Sequence, residues 1–164
     1  MALTTYTSYA EIRAVLGVSE TEVPDSVLSL SIYDFRATLE LEDVYVDLPS
    51  DFATVSALPS KSANQQRFLD LTKLYVPYAI AKELLMSLPM FSVKQLTDGR
   101  AGFRRQDDVH KEMKDNIEQA LLALKYRLGA IYMVLYPSKV TTLSNATQLL
   151  VRSTGLSKDP VTGV

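Results

Sequence analysis

Two long stretches with helical periodicity constrain the fold more than any other feature of the sequence. From about residue 62 to 88, and again from about 107 to 136, apolar residues recur three or four positions apart, as they do on one face of an α-helix. A chain of 164 residues with 47% hydrophobic content can form one ordinary core. We therefore predict a mainly α fold, a small helical bundle built on these two helices as an antiparallel pair.

Each long helix has a predicted buried face. In the first, Pro77 removes the usual hydrogen-bond donor for the carbonyl of Lys73, which predicts a kink. The second is predicted to begin with Asp107 or Asp108 as its N-cap and to end at Pro137. The predicted buried residues are Phe68, Leu71, Leu74 or Tyr75, Tyr78, Ala81, Leu85 and Leu88 in the first helix, and Val109, Met113, Ile117, Ala120 or Leu121, Leu124, Leu128, Ile131 and Leu135 in the second.

Two shorter helices are predicted before the long pair. Ser8 and Glu11 have the spacing of a capping box, and Gly17 provides a stop. The second short helix is predicted from Pro24 to about Asp43, with an apolar stripe of Leu28, Ile32, Phe35 and Leu39. Residues 44–65 contain two prolines and four serines, which predicts a connection with at most one short helical turn.

The segment "QLTDGRAGFRRQDD", residues 95–108, separates the two long helices. The dipeptide Asp98-Gly99 favours a tight turn with positive φ at both central residues, so a β-hairpin is predicted at about 93–105. A phosphate-binding Walker loop is excluded, because that loop needs a longer glycine spacing that ends in lysine and serine or threonine.

The predicted hairpin also holds the densest basic cluster of the chain. Its side chains are compatible with contact to nucleic-acid phosphate or to the carboxylates of a neighbouring subunit. The candidate contact residues are Lys94, Asp98, Gly99, Arg100, Phe103, Arg104 and Arg105.

After Pro137 the helical periodicity disappears. We predict a helical domain at 1–137 that carries the hairpin as an insertion, and an extended C-terminal arm at 138–164. The arm is either a flexible terminus or a strand-forming segment donated to another chain, since strands without a local partner can add to a sheet edge elsewhere. Its only plausible strand contains Gln148, Leu149, Leu150, Val151 and Arg152, the candidate docking residues.

The charge of the chain is unevenly distributed. Residues 1–60 hold two arginines and ten carboxylates, whereas residues 61–164 hold fifteen basic and nine acidic groups. Either these are solvated faces of a monomer, or the acidic part of one copy meets the basic part of the next, as in a head-to-tail assembly. A pI near 5.4 argues against a typical DNA reader.

Residues that could carry chemistry are sparse. Without cysteine the chain can form neither a disulfide nor a thiolate metal site. His110, the only histidine, shares a helical face with Asp107 but not with Glu112, which favours a solvated helical turn over a metal or acid–base site. We expect a protein that is not an enzyme, binds no cofactor or metal, and is soluble, unprocessed and without a membrane span.

The order of these elements resembles that of the tailed-bacteriophage head-to-tail adaptor proteins, also called connector or head-completion proteins. The resemblance covers about the whole chain. It rests on the N-terminal block "YAEIRAVLGVSETEVPDSVLSLSIYDFRATLELEDV", the long helix pair around "QLTDGRAGFRR", and the loose C-terminal tail.

The resemblance implies a structural virion protein of the phage neck, assembled in the host cytoplasm. Its subunits would form a ring, usually dodecameric, beneath the portal after packaging, and the ring would enclose double-stranded DNA without reading its sequence. The implied partners are further copies of the chain, the portal protein, and tail or nozzle proteins. By this resemblance the arm at 138–164 docks into the portal, and the hairpin at 93–105 lines the channel or contacts the next subunit. The alternative is a helical nucleic-acid-binding module that uses the basic hairpin.

Overall fold

The computed structural model describes residues 2–91 and 102–139, and the side chains of residues 2–86 and 111–139. The elements in these ranges are helical, so the predicted mainly α class is confirmed. They comprise a 3₁₀ turn, Leu3–Thr5, and the α-helices α1 Tyr9–Leu16, α2 Asp25–Leu28, α3 Ser31–Glu42, α4 Leu48–Ser56, α5 Ala63–Phe91 and α6 Gly102–Leu135.

Helix α1 begins and ends as predicted. The backbone N–H of Glu11 donates to Oγ of Ser8 at 3.3 Å, and the Glu11 carboxylate accepts from the backbone N–H of Ser8 at 2.7 Å. This reciprocal capping box satisfies two amides that the first turn would otherwise leave unpaired. Gly17 ends the helix in the left-handed conformation with φ of 65°, which only glycine adopts without strain.

The predicted second helix is divided in two. Pro24 is the N-cap of the single-turn α2, and the chain then breaks at Ser29 and Leu30 before α3 begins. Arg13 of α1 fastens this region, because its Nε donates to the carbonyl of Val23 at 2.7 Å and its guanidinium pairs with Asp25. The break changes the helical phase, so α3 does not continue the apolar stripe that starts at Leu28.

Residues 44–65 contain a full helix, and the prediction of a connection with at most one turn is wrong. Helix α4 spans nine residues, and Pro49 lies in its first turn, where a missing amide hydrogen does no harm. Leu48, Phe52 and Val55 of α4 are buried at helical spacing. The Phe52 ring packs against Tyr6 and Phe68, with centroids 4.9 Å and 6.4 Å away.

Helix α5 is the centre of the fold. Helices α1, α3 and α4 all pack against it. Phe68, Tyr75, Val76 and Ile80 on α5 have almost no exposed surface, and the buried hydroxyl of Thr72 donates to the Phe68 carbonyl at 2.8 Å. The predicted first long helix is therefore confirmed. It continues through Pro77, where the kink stays a prediction.

The second long helix is also present, but it begins at Gly102 rather than at Asp107 or Asp108. The predicted β-hairpin at 93–105 is wrong. No β-strand occurs in residues 2–91 and 102–139, and Gly102–Arg105, expected in the second strand, form the start of α6. Arginine and glutamine favour helix almost as much as alanine, so "RRQ" extends the helix towards its N-terminus. The predicted buried residues Ile117, Leu121, Leu124, Leu128 and Ile131 are buried.

Contacts along the chain separate two compact units, Met1–Ile131 and Tyr132–Val164. In the described part of the second unit, the Tyr132 and Tyr136 rings pack with centroids 4.9 Å apart, and Nζ of Lys139 lies 5.1 Å from the centre of the Tyr136 ring.

Candidate interaction surfaces

The predicted contact residues fall largely outside the described part of the chain. Lys94, Asp98, Gly99 and Arg100 lie outside the described residues, as do all five arm positions, Gln148, Leu149, Leu150, Val151 and Arg152. Phe103, Arg104 and Arg105 belong to the first turn of α6, and their side chains are outside the described set.

An exposed apolar row on α3 is the first surface that the described residues present. It consists of Ile32, Phe35 and Leu39, which we call the α3 row. These side chains follow one another at spacings of three and four, so they lie on one face of the helix. Ile32 and Phe35 are each 65% exposed and Leu39 is 37% exposed. A row of large apolar side chains in solvent is typical of an interaction site rather than of an ordinary helix surface.

The α3 row corresponds to the stripe that the sequence predicted to be buried, so that prediction is wrong for three of its four residues. Ala37 and Leu41, on the opposite side of α3, are fully buried instead. The small side chain of Ala37 allows α3 to approach its neighbours closely, and α3 packs against both α4 and α5. Helix α3 thus has apolar residues on two faces, and the fold buries only one.

An ionic network holds α3 to α5 beside the α3 row. Nη2 of Arg36 lies 2.9 Å from Oε1 of Glu40, one turn further along α3. The same nitrogen lies 2.6 Å from Oε1 of Glu83 on α5. Because Arg36 directly follows Phe35, this network fixes the backbone that carries the row.

Tyr75 extends the network into the core. Its ring is fully buried on α5, and its hydroxyl donates to Oε2 of Glu40 at 3.2 Å. Burial raises the pKa of the Tyr75 hydroxyl well above its ordinary value, and the nearby carboxylates of Glu40 and Asp43 raise that pKa further. Tyr75 therefore serves as a neutral hydrogen-bond donor at physiological pH.

The α3 row ends among acidic residues. Glu42 and Asp43 are exposed at the C-terminal end of α3, and Val46, which follows shortly after, is 68% exposed. On a helix, positions 42 and 43 flank the line that runs through Ile32, Phe35 and Leu39. The surface therefore combines an apolar centre with negative charge at one end.

A second exposed apolar row lies on α6. Leu122 and Tyr126 are 68% and 80% exposed, and the exposed Ala130 follows one turn later. We call these three residues the α6 row. Lys125 and Arg127 lie on either side of it, and Glu118 lies one turn before Leu122. The α6 row is therefore an apolar surface with positive charge along its sides and one carboxylate at its N-terminal end.

Sequence reasoning did not identify the α6 row, although the signal was available. Leu122, Tyr126 and Ala130 recur every four residues, on the side of α6 opposite the buried Ile117, Leu121 and Leu124. The buried face of α6 is complete without these three residues. A second apolar face on the same helix therefore indicates a further contact.

A shallow groove of about 420 Å³ lies where α1, α5 and α6 meet. Val15, Tyr78, Met113 and Ile117 line it together with Glu112, Asn116 and Ala120. Glu112 and Asn116 are the only strongly polar side chains in this lining, and both are exposed. The groove therefore offers little to orient a polar small molecule.

The described residues contain no group of three or more histidine, cysteine, aspartate or glutamate side chains arranged to hold a metal ion. Within the same part of the chain, none of the helices combines the length and the apolar character needed to cross a bilayer.

Comparison with known proteins identifies no relative: the chain matches no protein-family model, no curated protein and no solved structure.

Proposed function

We propose that the chain is a structural subunit of the bacteriophage neck, a head-to-tail adaptor that forms a ring between the portal of the capsid and the tail. The observation that carries this proposal is the pair of exposed apolar rows on α3 and α6, the first ending at Glu42 and Asp43 and the second flanked by Lys125 and Arg127. Helices that leave a whole apolar face in solvent are typical of subunits that bury that face in an assembly. The resemblance of the sequence to the adaptor family supports the phage neck as that assembly.

The way the α3 row is held also supports a structural role. The Asp34 carboxylate accepts from the backbone N–H of Leu3 at 2.7 Å, and Arg36 binds Glu83 of α5. The row is therefore displayed on a helix fixed to the buried centre of the fold. A surface fixed in advance loses little conformational entropy when it binds, which suits a subunit that must add to a ring without refolding.

In this role the chain would join the portal after DNA packaging, enclose the DNA channel, and present a platform for tail proteins. The chain would act through its surfaces. Its apolar faces would contact neighbouring copies, and the arm at 138–164 would contact the portal. A DNA channel requires no sequence-specific contacts, so base-reading side chains are not needed.

Electron microscopy of the chain mixed with purified portal rings encoded by the same genome tests the proposal. We expect a ring of added density, with rotational symmetry, at one end of the portal. Portal rings that carry no added density in the presence of excess chain would contradict the proposal. Tight, salt-dependent binding of the chain alone to double-stranded DNA, without portal binding, would favour a nucleic-acid-binding module instead.

A shortened chain that ends at Lys139 tests the arm separately. This variant retains α6 and the contact between Lys139 and Tyr136. We expect the far-ultraviolet circular dichroism of the helices to persist while portal binding is lost. If the shortened chain still binds the portal with unchanged affinity, docking by the arm is excluded.

A further inference from the structure

We propose that the α3 row of one copy docks onto the α6 row of a second copy, so that copies of this chain join through two different surfaces. Only the closure of these contacts into a ring rests on the proposed function. The contact itself is argued from the exposure, size and charge of residues on α3 and α6.

The two rows match in length and chemical character. From Ile32 to Leu39 and from Leu122 to Ala130, each row extends about 10–12 Å along its helix. Each has one large aromatic side chain near its middle, Phe35 in the α3 row and Tyr126 in the α6 row. The small Ala130 at one end of the α6 row leaves room for a larger side chain of a facing helix, as packing of ridges into grooves requires.

The charges around the rows decide which pairs with which. Exposed Glu42 and Asp43 lie at the end of the α3 row, whereas Lys125 and Arg127 flank the α6 row. Pairing unlike rows brings opposite charges into the same interface, which accelerates encounter. Pairing two α3 rows would instead bring acidic ends into the same interface.

The geometry of such a contact has a direct consequence for assembly. Because the two rows are different surfaces of the chain, a copy bound through its α3 row still has its α6 row free. A contact of this heterologous kind propagates from copy to copy, and it forms a ring when the rotation between neighbours closes. The charge difference between the two halves of the sequence then contributes to the contact at every subunit boundary.

Disulfide cross-linking provides a direct test, because the chain has no cysteine of its own. One variant carries Phe35→Cys and another Tyr126→Cys, both at exposed positions. Mixed under mild oxidation, the two are expected to form mixed dimers at least about tenfold faster than either forms dimers with itself. The variant with both changes is expected to form a ladder of higher oligomers. Ala10→Cys, exposed on α1, is the matched control partner.

Charge exchange tests whether the same contact is electrostatically matched. Adding Glu42→Lys and Asp43→Lys to the Phe35→Cys chain is expected to slow its cross-linking to the Tyr126→Cys chain by roughly tenfold. Adding Lys125→Glu and Arg127→Glu to the Tyr126→Cys chain is expected to restore the rate, because the charges are then opposite again.

Each other outcome would overturn the contact. Cross-linking of Phe35→Cys mainly to itself would indicate paired α3 rows, and equal rates with the Ala10→Cys control would indicate random collision. Mixed cross-linking that appears only after residues 140–164 are removed would mean that the chain's own C-terminus covers one of the rows. If the two rows do not cross-link but the chain still binds the portal, the contact is wrong and the adaptor function is retained. If the rows cross-link but the chain does not bind the portal, the contact is retained and the adaptor function is wrong.

Discussion

The hydroxyl of Tyr75 lies 3.2 Å from Oε2 of Glu40, which joins the buried face of α5 to the last turn of α3. The other oxygen of the same carboxylate lies 2.9 Å from Nη2 of Arg36, which also binds Glu83. A continuous chain of polar contacts therefore runs from the core to the base of the α3 row. Because Tyr75 and Glu40 are largely withdrawn from water, the loss of their contact should be measurable as a change in stability.

Replacing Tyr75 with phenylalanine should lower the free energy of unfolding at pH 8 by about 1–2 kcal/mol, since Glu40 loses a donor. Burial raises the pKa of Tyr75 above its ordinary value of 10.0. The stabilisation linked to this proton is therefore complete below pH 10 and is lost as the pH rises above that value. Urea unfolding at pH 8 and at about pH 11 should show a steeper loss for the wild type than for Tyr75→Phe.

Tyr126→Phe is the matched control for that experiment, because Tyr126 is 80% exposed. It should follow the wild type at both pH values. An equally steep alkaline loss in Tyr75→Phe would show that Tyr75 is not the group responsible.

The ion pair between Arg36 and Glu83 should contribute only modestly to stability. Their side chains are 40% and 29% exposed, and Nε of Arg36 is buried without a hydrogen-bond partner in the described residues. Solvent screening and this unsatisfied donor both reduce the net gain. A double-mutant cycle of Arg36→Met and Glu83→Gln, measured by urea unfolding, should give a coupling energy of about 0.5–1 kcal/mol. A coupling energy near zero would mean that this ion pair does not help to orient the α3 row.

The parts of the fold that could be predicted from sequence were those with strong local signals. The capping box of Ser8 and Glu11, the stop at Gly17 and the long periodic stretches all identify helices without reference to tertiary contacts. Helix α4 is not predicted from the sequence, because Pro49 and several serines indicate a connection, although proline is compatible with a first helical turn. The spacing of Leu48, Phe52 and Val55 carried the correct information.

The surfaces were harder to predict, because apolar periodicity alone does not say which side of a helix is buried. Helices α3 and α6 each have apolar residues on two faces. On α3, the buried face includes the small Ala37, and the more hydrophobic Ile32 and Phe35 lie outside. Close approach to α5 decides this choice, and such an approach depends on tertiary packing. The two rows can therefore be identified only from the exposed fraction of individual side chains.

Phe52→Ala should be among the most destabilising single changes, because Phe52 is 1% exposed and packs against Tyr6 and Phe68. Removing the ring leaves a cavity among these aromatic side chains, and such changes cost about 3–5 kcal/mol. Ser56→Ala, at an exposed position of the same helix, should alter stability by less than about 0.5 kcal/mol. Denaturant unfolding of both variants checks this prediction, and a loss below 1 kcal/mol for Phe52→Ala would mean that α4 contributes little to the core.

The capping box of α1 should stabilise the fold in a pH-dependent way. Ser8→Ala should cost about 1 kcal/mol, because the amide of Glu11 loses its side-chain acceptor. Hydrogen bonds from the Ser8 backbone and the Thr7 hydroxyl lower the pKa of Glu11 below its ordinary value of 4.5. The stabilisation by the carboxylate is thus present above pH 4.5 and is lost as the pH falls through the lowered pKa. Thermal unfolding should show wild type and Glu11→Gln converging at acid pH, and a constant difference would contradict the assignment.

Leu39 and Leu41 offer a matched comparison on a single helix, because both are leucines of α3 but only Leu41 is fully buried. Leu41→Ala should lower the free energy of unfolding by about 2–5 kcal/mol, since it removes core contacts and leaves a cavity. Leu39→Ala should lower it by less than about 1 kcal/mol, because the side chain already contacts water. The apolar stripe predicted from the sequence implies the opposite order. Urea unfolding of the two variants in parallel decides between them, and a larger loss for Leu39→Ala would place the α3 row in the core and remove the surface proposed to bind a second copy.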